Sequence, residues 1–216
     1  NLAQTYRDMG IEVVYLQTEQ TPRPNQYFMC DPFKMTPEGA IISRLASAAR
    51  AGEERNVAQT LANLGVPIVM TTHGEGCLEG ADIYFVEEDH AFISIGLRTN
   101  MAGASQAAYA LEHMGVDTTI VQSTFGCGHI DGVLSFVDKR KAIVYPTRLD
   151  YSAYELLKDL GYQIILVPDF EEAENTLAIN MVPVAPSVVV MPAGNVKMQR
   201  VLEENGVECH TVELDE

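Results

Sequence analysis

The chain has 216 residues, a formal net charge of −16, 47% hydrophobic residues and 20% charged ones. That length carries one domain or at most two small ones, and the acidity argues against nucleic acid or anionic membrane as partners, since both need a basic surface. The apolar runs are strand-sized, so no membrane-spanning helix is expected; the 4 scattered cysteines form no C-x-x-C pair and fit a reducing, cytoplasmic compartment better than a disulfide framework.

Taken in order, the chain opens on Asn1 inside a helical pattern, which leads us to expect an upstream segment. A rhythm then runs through the whole sequence. Five times a helical pattern passes through a glycine into a short β-rich run: Asp8-Met9-Gly10-Ile11, Asn63-Leu64-Gly65-Val66, His113-Met114-Gly115-Val116, Asp159-Leu160-Gly161-Tyr162 and Glu204-Asn205-Gly206-Val207. The glycines are 55, 50, 46 and 45 residues apart, so each interval holds one supersecondary module of nearly constant size. A glycine just past the last helical turn is the usual left-handed cap.

The strands predicted after the glycines are Glu12–Gln17, Pro67–Thr71, Asp117–Gln122, Gln163–Val167 and Glu208–Glu213. Between a strand and the next helix there is room for a pair of strands: Asp82–Val86 with Ala91–Ile95, Ile130–Val137 with Lys141–Tyr145, and Thr176–Met181 with Ser187–Met191. Helices are predicted at Gly52–Leu64, Ala104–His113, Ala153–Leu160 and Val196–Glu204 from apolar residues at helical spacing. The unit is strand–strand–helix–strand, repeated about five times, with the first and last units incomplete. It is not the β-α-β alternation of a doubly wound sheet, and no G-x-G-x-x-G or Walker loop is present.

Four stretches place polar residues where a β-rich core has little use for them. They are Pro24-Asn25-Gln26-Tyr27-Phe28-Met29-Cys30-Asp31-Pro32-Phe33, Gly74–Asp82, Ile95-Gly96-Leu97-Arg98-Thr99-Asn100 and Phe125–Gly132. In the last, strand alternation sends His129 and Asp131 to one face. Read singly, each stretch has an ordinary explanation. Asp31 caps a turn, Glu79 and Asp82 are solvated turn residues, Arg98 is a surface charge, and His129-Ile130-Asp131 is a strand end with a satisfied histidine.

Together, Asn25 to Asp31, Leu78-Glu79-Gly80-Ala81-Asp82, Gly96-Leu97-Arg98-Thr99-Asn100 and His129-Ile130-Asp131 resemble the guanidino-group-modifying, or pentein, superfamily. It includes arginine deiminase, glycine amidinotransferase and dimethylarginine dimethylaminohydrolase. The resemblance implies an α/β fold, a five-fold pseudosymmetric propeller of ββαβ units, which agrees with the period in the sequence. It implies a hydrolase on the guanidino C–N bond of an arginine-like small molecule, with no cofactor and no metal; a homo-oligomer is compatible with it. Two carboxylates, Asp31 and Asp131, would clamp the planar guanidinium by charge-assisted hydrogen bonds, and a cysteine thiolate would attack its carbon. His129 would be the acid/base, Glu79 its partner, Arg98 and more weakly Arg50 the receptors of an α-carboxylate, and Asn25 a substrate-binding asparagine.

The sequence departs from the pattern in places. Cys30 stands where deiminases have Arg and dimethylarginine hydrolases often have Glu, and Ala81 replaces the second glycine of Glu-Gly-Gly-Asp. Asp131 supplies a carboxylate that dimethylarginine hydrolases generally lack, which favours deiminase-type chemistry, with amidino transfer and dimethylarginine hydrolysis as alternatives. A non-catalytic binding protein on the same fold is a further alternative. The resemblance puts the nucleophilic cysteine after the last helix–strand, so the expectation is a single catalytic domain over residues 1–216 that is a fragment lacking N-terminal strands and the nucleophile segment. Cys127 precedes a strand, Cys209 lies within one, and Cys30 and Cys77 border motifs; none fits the part. A zinc site of Cys127, His129 and His73 or Cys77 lacks a standard ligand spacing.

Overall fold

The computed structural model describes residues 1–18, 23 and 25–214; Pro24, at the head of the Pro24–Phe33 stretch, and Glu216 lie outside the described residues. The chain forms two compact units, Tyr15–Ile130 and Asn1–Val14 together with Asp131–Glu216. After helix α1 (Leu2–Asp8) the elements fall into ββαβ sets. Two lie in the unit Tyr15–Ile130: β1 (Phe33–Thr36), β2 (Gly39–Ile42), α2 (Glu53–Asn63) and β3 (Ile68–Thr71), then β4 (Ile83–Glu87), β5 (His90–Ile95), α3 (Met101–His113) and β6 (Asp117–Gln122). The other unit holds β7 (Leu134–Asp138), β8 (Lys141–Val144), α4 (Tyr151–Asp159) and β9 (Gln163–Leu166). A short helix α5 (Phe170–Asn175) precedes its second set, β10 (Val182–Ala185), β11 (Val188–Pro192), α6 (Val196–Glu204) and β12 (Glu208–Val212). The fold class is α/β.

Every set makes the same three-stranded sheet. Its first two strands pair antiparallel as a hairpin, and the strand after the helix adds in parallel to the second. The second strand is therefore always central, and its residues are nearly all buried in β2, β5, β8 and β11. That is why these strands read as unbroken apolar runs such as Ala142-Ile143-Val144 and Val189-Val190-Met191. In the unit Tyr15–Ile130, Ala104, Ala107, Ala108 and Leu111 of α3 pack on Ile83, Ala91 and Ile93, the small side chains letting the helix lie close to its sheet.

The five junction glycines are the same device repeated. Gly10, Gly65, Gly115, Gly161 and Gly206 have φ between +76° and +78°, a region that costs glycine nothing. In each, the glycine N–H and the following N–H return to helix carbonyls, as in Gly115 to Glu112 O at 3.1 Å and Val116 to Leu111 O at 3.0 Å. This closes the helix C-terminus and, at the last four, aims the chain into the parallel strand.

The strand predictions need four corrections. Residues 12–17 form no strand, because a β-rich run becomes one only where a neighbouring edge accepts its hydrogen bonds, and Val14 and Tyr15 are exposed. Thr176–Met181 is not a strand either; Leu177 takes φ +56°, Asn180 closes a turn onto Leu177 O, and β10 starts only at Val182. The hairpin β1–β2 was not anticipated, its strands being 4 residues each. Finally, His129 and Asp131 are not on a strand: Ile130–Gly132 is a 3-10 turn and β7 begins at Leu134. The last set described runs β10, β11, α6 and β12. Among the described residues no helix is long and apolar enough to cross a membrane.

Candidate active site

The repeat sets up the site. Asp31, Glu79 and His129 each lie in the short segment that leads into the first strand of a ββαβ set, before β1, β4 and β7 respectively. All three belong to the unit Tyr15–Ile130, and one ligand atom from each falls within 4.8 Å of the others. His129 Nε2 hydrogen-bonds Glu79 Oε2 at 2.7 Å and lies 3.9 Å from Asp31 Oδ1.

Backbone contacts fix the segments against one another. The Gly80 N–H donates to Asp31 O at 2.7 Å, and a Cβ at Gly80 would stand 2.0 Å from Phe33 O and 2.5 Å from Cys30 O. Glycine is thus required where the Glu79 turn crosses the Asp31 segment. On the other side, Asn100 caps α3, its Oδ1 accepting from Gly103 N at 2.9 Å and Cys77 N at 3.0 Å. Thr99 accepts from the Glu79 N–H at 3.1 Å and donates to Asp82 Oδ2 at 2.6 Å, while Asp82 Oδ1 accepts from Ile130 N at 3.3 Å. Asp82 is buried, not a solvated turn residue, and braces the Glu79 turn to the residue after His129. Sequence reasoning missed Thr99 and the bracing role of Asp82; a Thr beside the Asn cap was the available signal.

Glu79 is fully buried, at 0% exposure. Burial alone would raise its pKa, but the hydrogen bond and charge of His129, the Ala46 N–H at 3.2 Å and the charge of Arg98 outweigh burial and hold the carboxyl below its ordinary range. Arg98 Nη1 stands 3.9 Å from Glu79 Oε1, and Arg98 Nε is buried with no hydrogen-bond partner among the described residues.

Arg50 differs from the expectation of a substrate receptor. Its guanidinium is committed within the protein: Nη1 to Asp31 Oδ2, Nε and Nη2 to Glu53 Oε2 at 3.0 and 2.9 Å, and Nη2 also to Asn25 O at 3.2 Å. Burial would lower the Arg50 pKa, yet Glu53 and Asp31 reverse that and raise it. Asn25 is exposed and contributes its carbonyl to this network. Asp131 is half-buried in the turn Ile130–Gly132 and belongs to the other compact unit, whose second segment it opens.

None of the 4 cysteines, all of them described residues, is in a disulfide. Cys127 Sγ is buried and donates to His129 O at 3.2 Å, and Cys209 in β12 has its thiol pushed up to about 11 by burial and by Glu203 and Glu208. Among the described residues the one cluster with the make-up of a metal-ligand set is Asp31, Glu79 and His129, not the cysteine-containing set weighed from the sequence. A surface cavity of about 600 Å³ in the same unit is lined by Met70, His73, Tyr109 and His113 and by none of the site residues.

Comparison with known proteins finds two kinds of relative. The dimethylarginine dimethylaminohydrolase of Pseudomonas aeruginosa is 25% identical over 194 residues, covering 89% of this chain and 71% of that protein. An arginine deiminase of Bacillus cytotoxicus is 25% identical over 236 residues, covering 87% of the chain and 56% of the deiminase. Among solved structures, a cysteine-to-serine variant of the Pseudomonas aeruginosa enzyme complexed with citrulline superposes with a TM-score of 0.76 at 26% identity, covering 88% of this chain and 70% of that one. The chain spans 55% to 71% of the length of such curated relatives.

The family model, the relatives and the fold place the chain in the guanidino-modifying superfamily, with its pentein fold of pseudosymmetric ββαβ repeats. Within it the chain belongs to the family described as N,N dimethylarginine dimethylhydrolase, eukaryotic, whose model matches residues 1–210.

Proposed function

We propose that this chain carries the guanidinium-binding and acid/base parts of a hydrolase acting on the guanidino C–N bond of arginine or a close relative. The observation that carries the reading is the cluster of Asp31, Glu79 and His129, two buried carboxylates against one imidazole, with ligand atoms within 4.8 Å. A guanidinium is a planar cation at any physiological pH, and its N–H edges match carboxylates at hydrogen-bonding distance. Asp31 binds one edge.

In the reaction a cysteine thiolate attacks the guanidino carbon and forms a C–S bond. The C–N bond to the leaving nitrogen breaks as His129 gives that nitrogen a proton, releasing ammonia or an amine. His129 then takes a proton from water, the water oxygen adds to the same carbon, and the C–S bond breaks to return the thiolate. Glu79, held ionised, orients the imidazole and stabilises its charged form. Arg98 receives the substrate carboxylate.

None of the four cysteines present fits the nucleophile: Cys127 is turned onto its own turn, and Cys209 is held far from its thiolate form. In keeping with the superfamily pattern, we assign the nucleophile to a further segment of a single catalytic domain. The cysteine altered in the citrulline complex of the Pseudomonas aeruginosa relative supports a cysteine-dependent reaction.

The family model favours a second reading, dimethylarginine hydrolysis. Against it stands the presence of Asp131, a carboxylate that dimethylarginine hydrolases generally lack, and a further carboxylate suits an unsubstituted guanidinium better than a dimethylated one. The test is to assay the whole protein for citrulline, ornithine, ammonia and dimethylamine release from arginine and dimethylarginine in parallel. Turnover of arginine supports the first reading and turnover of dimethylarginine the second. No turnover and no binding of either ligand overturns both.

A further inference from the structure

The surface cavity of about 600 Å³ in the unit Tyr15–Ile130 takes no part in the chemistry proposed above. It opens between α3 and β3. One face of α3, with Ala104, Ala107, Ala108 and Leu111, is buried in the core. The two rows beside that face, Ser105-Tyr109-His113 and Gln106-Ala110-Met114, line the cavity, each stepping four residues along the helix. Val69 and Met70 line it from β3 as half-buried hydrocarbon. Ala110, small between two long side chains of its row, leaves room for the hollow.

The walls are in place before any ligand arrives. Gln106 accepts from the His73 N–H and donates to His73 O, both at 3.0 Å. Asn100 donates to Glu75 O at 2.8 Å and accepts from the Cys77 N–H at 3.0 Å. The chain leaving β3 is thereby fastened to α3 at three points, so a ligand is spared the cost of ordering it. The volume falls within the roughly 300–1,000 Å³ of small-molecule sites.

The groups on these walls select for charge. Tyr109 is 65% exposed, and its ring centre lies 4.1 Å from that of His113. His113 Nδ1 donates to Tyr109 O at 2.8 Å; a carbonyl only accepts, so Nδ1 carries the hydrogen and Nε2 of the neutral ring is an acceptor. Glu38, between β1 and β2, adds a carboxylate, and no lysine or arginine is among the described residues of the lining. An aromatic face, an imidazole acceptor and a carboxylate all attract a cation, on a chain whose net charge of −16 repels anions. The thioethers of Met70 and Met114 suit the edge of a flat aromatic body.

We propose that this cavity binds an arylalkylamine, an aromatic ring joined to an ammonium group. The ring sits among Met70, Ala110 and Met114, and the ammonium lies on the Tyr109 ring and the Glu38 carboxylate. The site is separate from the cluster of Asp31, Glu79 and His129 and does not depend on the function proposed for it.

The test is calorimetric titration of tryptamine and of indole-3-propanoate, which carry opposite charges on the same ring and chain. Both are titrated into the whole protein and its Y109A, E38Q and D31N variants. Tryptamine is expected to bind saturably, and the anion roughly tenfold more weakly or worse. Y109A should weaken tryptamine roughly tenfold and E38Q roughly two- to fivefold, while D31N leaves its affinity unchanged. Tyr109 and Glu38 are exposed, so both variants should fold, which thermal unfolding checks. Absence of saturable tryptamine binding overturns the proposal, as does equal affinity for the anion. Binding lost in D31N but kept in Y109A places the ammonium at the active-site carboxylates and also overturns it. Light scattering adds the last arm: a dimer that Y109A splits, with no tryptamine bound, assigns the groove to a second copy of the chain and overturns the proposal.

Discussion

The segment that leads into β4 and the one that leads into β10 hold the same place in the ββαβ repeat, yet they are built from opposite materials. The first buries charge: Glu79 and Asp82 are 0% and 1% exposed and tied to His129, Thr99 and backbone N–H groups. The second buries hydrocarbon, with Ala178, Ile179 and Met181 inside. The sheets that follow have the same pairing scheme, so the repeat does not need the carboxylates in order to fold. Burying an ionised group is costly unless it is paired, so a lead-in segment that buries two, each with several partners, is shaped for a ligand. The apolar segment shows what the position looks like when it serves packing alone.

Substitutions at matched places should break this symmetry of form into two kinds of loss. The largest effect on stability belongs to Ile179→Ala, which empties a fully buried site; we expect a loss of roughly 2–5 kcal/mol in denaturant unfolding with guanidino-ligand affinity unchanged. Gly80→Ala should cost roughly 3 kcal/mol, because its Cβ meets backbone oxygen at 2.0 Å, and here ligand affinity should fall too, since the Asp31 segment must shift. Equal ligand affinity in the Gly80 variant would show that the two segments are not coupled.

Glu79→Gln should cost about 1.5–3 kcal/mol at neutral pH through the lost charged hydrogen bond to His129. Because the folded-state pKa of Glu79 lies below its usual value near 4.5, its contribution is fully present above that pH and is lost as pH falls through the depressed value. Stability measured from pH 6 down to about 3 should therefore drop more steeply in the unaltered protein than in the Glu79→Gln variant. Asn100→Ala should have the smallest effect on stability, about 1 kcal/mol for the lost cap.

The same contrast explains what the sequence made legible. The glycine junctions could be read directly, since a left-handed cap is a local demand that only glycine meets without strain, and they exposed the repeat and four of the helices. The lead-in segments could not be read that way. Their identity rests on contacts between residues far apart, such as Glu79 with His129 and Arg50 with Asp31, so residue pattern alone left each with an ordinary explanation. The resemblance to a family grouped Asp31, Glu79, Arg98 and His129, and the structure brings these four together. It did not show that Arg50 is consumed by Asp31 and Glu53, although the spacing of Arg50 and Glu53 at a helix start was a usable hint. Strand alternation at His129 and Asp131 failed because His129 lies in the loop and Asp131 in the 3-10 turn that follows it, before the strand begins at Leu134. At residues 12–17 a β-rich composition lacked a partner edge, a condition that no local pattern encodes.

The central claim, that Asp31, Glu79 and His129 form a seat for a guanidinium, is tested most directly by calorimetric titration of arginine into the whole protein and its Asp31→Asn variant. The substitution keeps the shape and removes the charge, and Arg50 retains Glu53 as a partner. The account predicts at least a tenfold weaker affinity, about 1.4 kcal/mol or more, in a variant that still unfolds cooperatively. Arginine binding of undiminished affinity in that folded variant would contradict it.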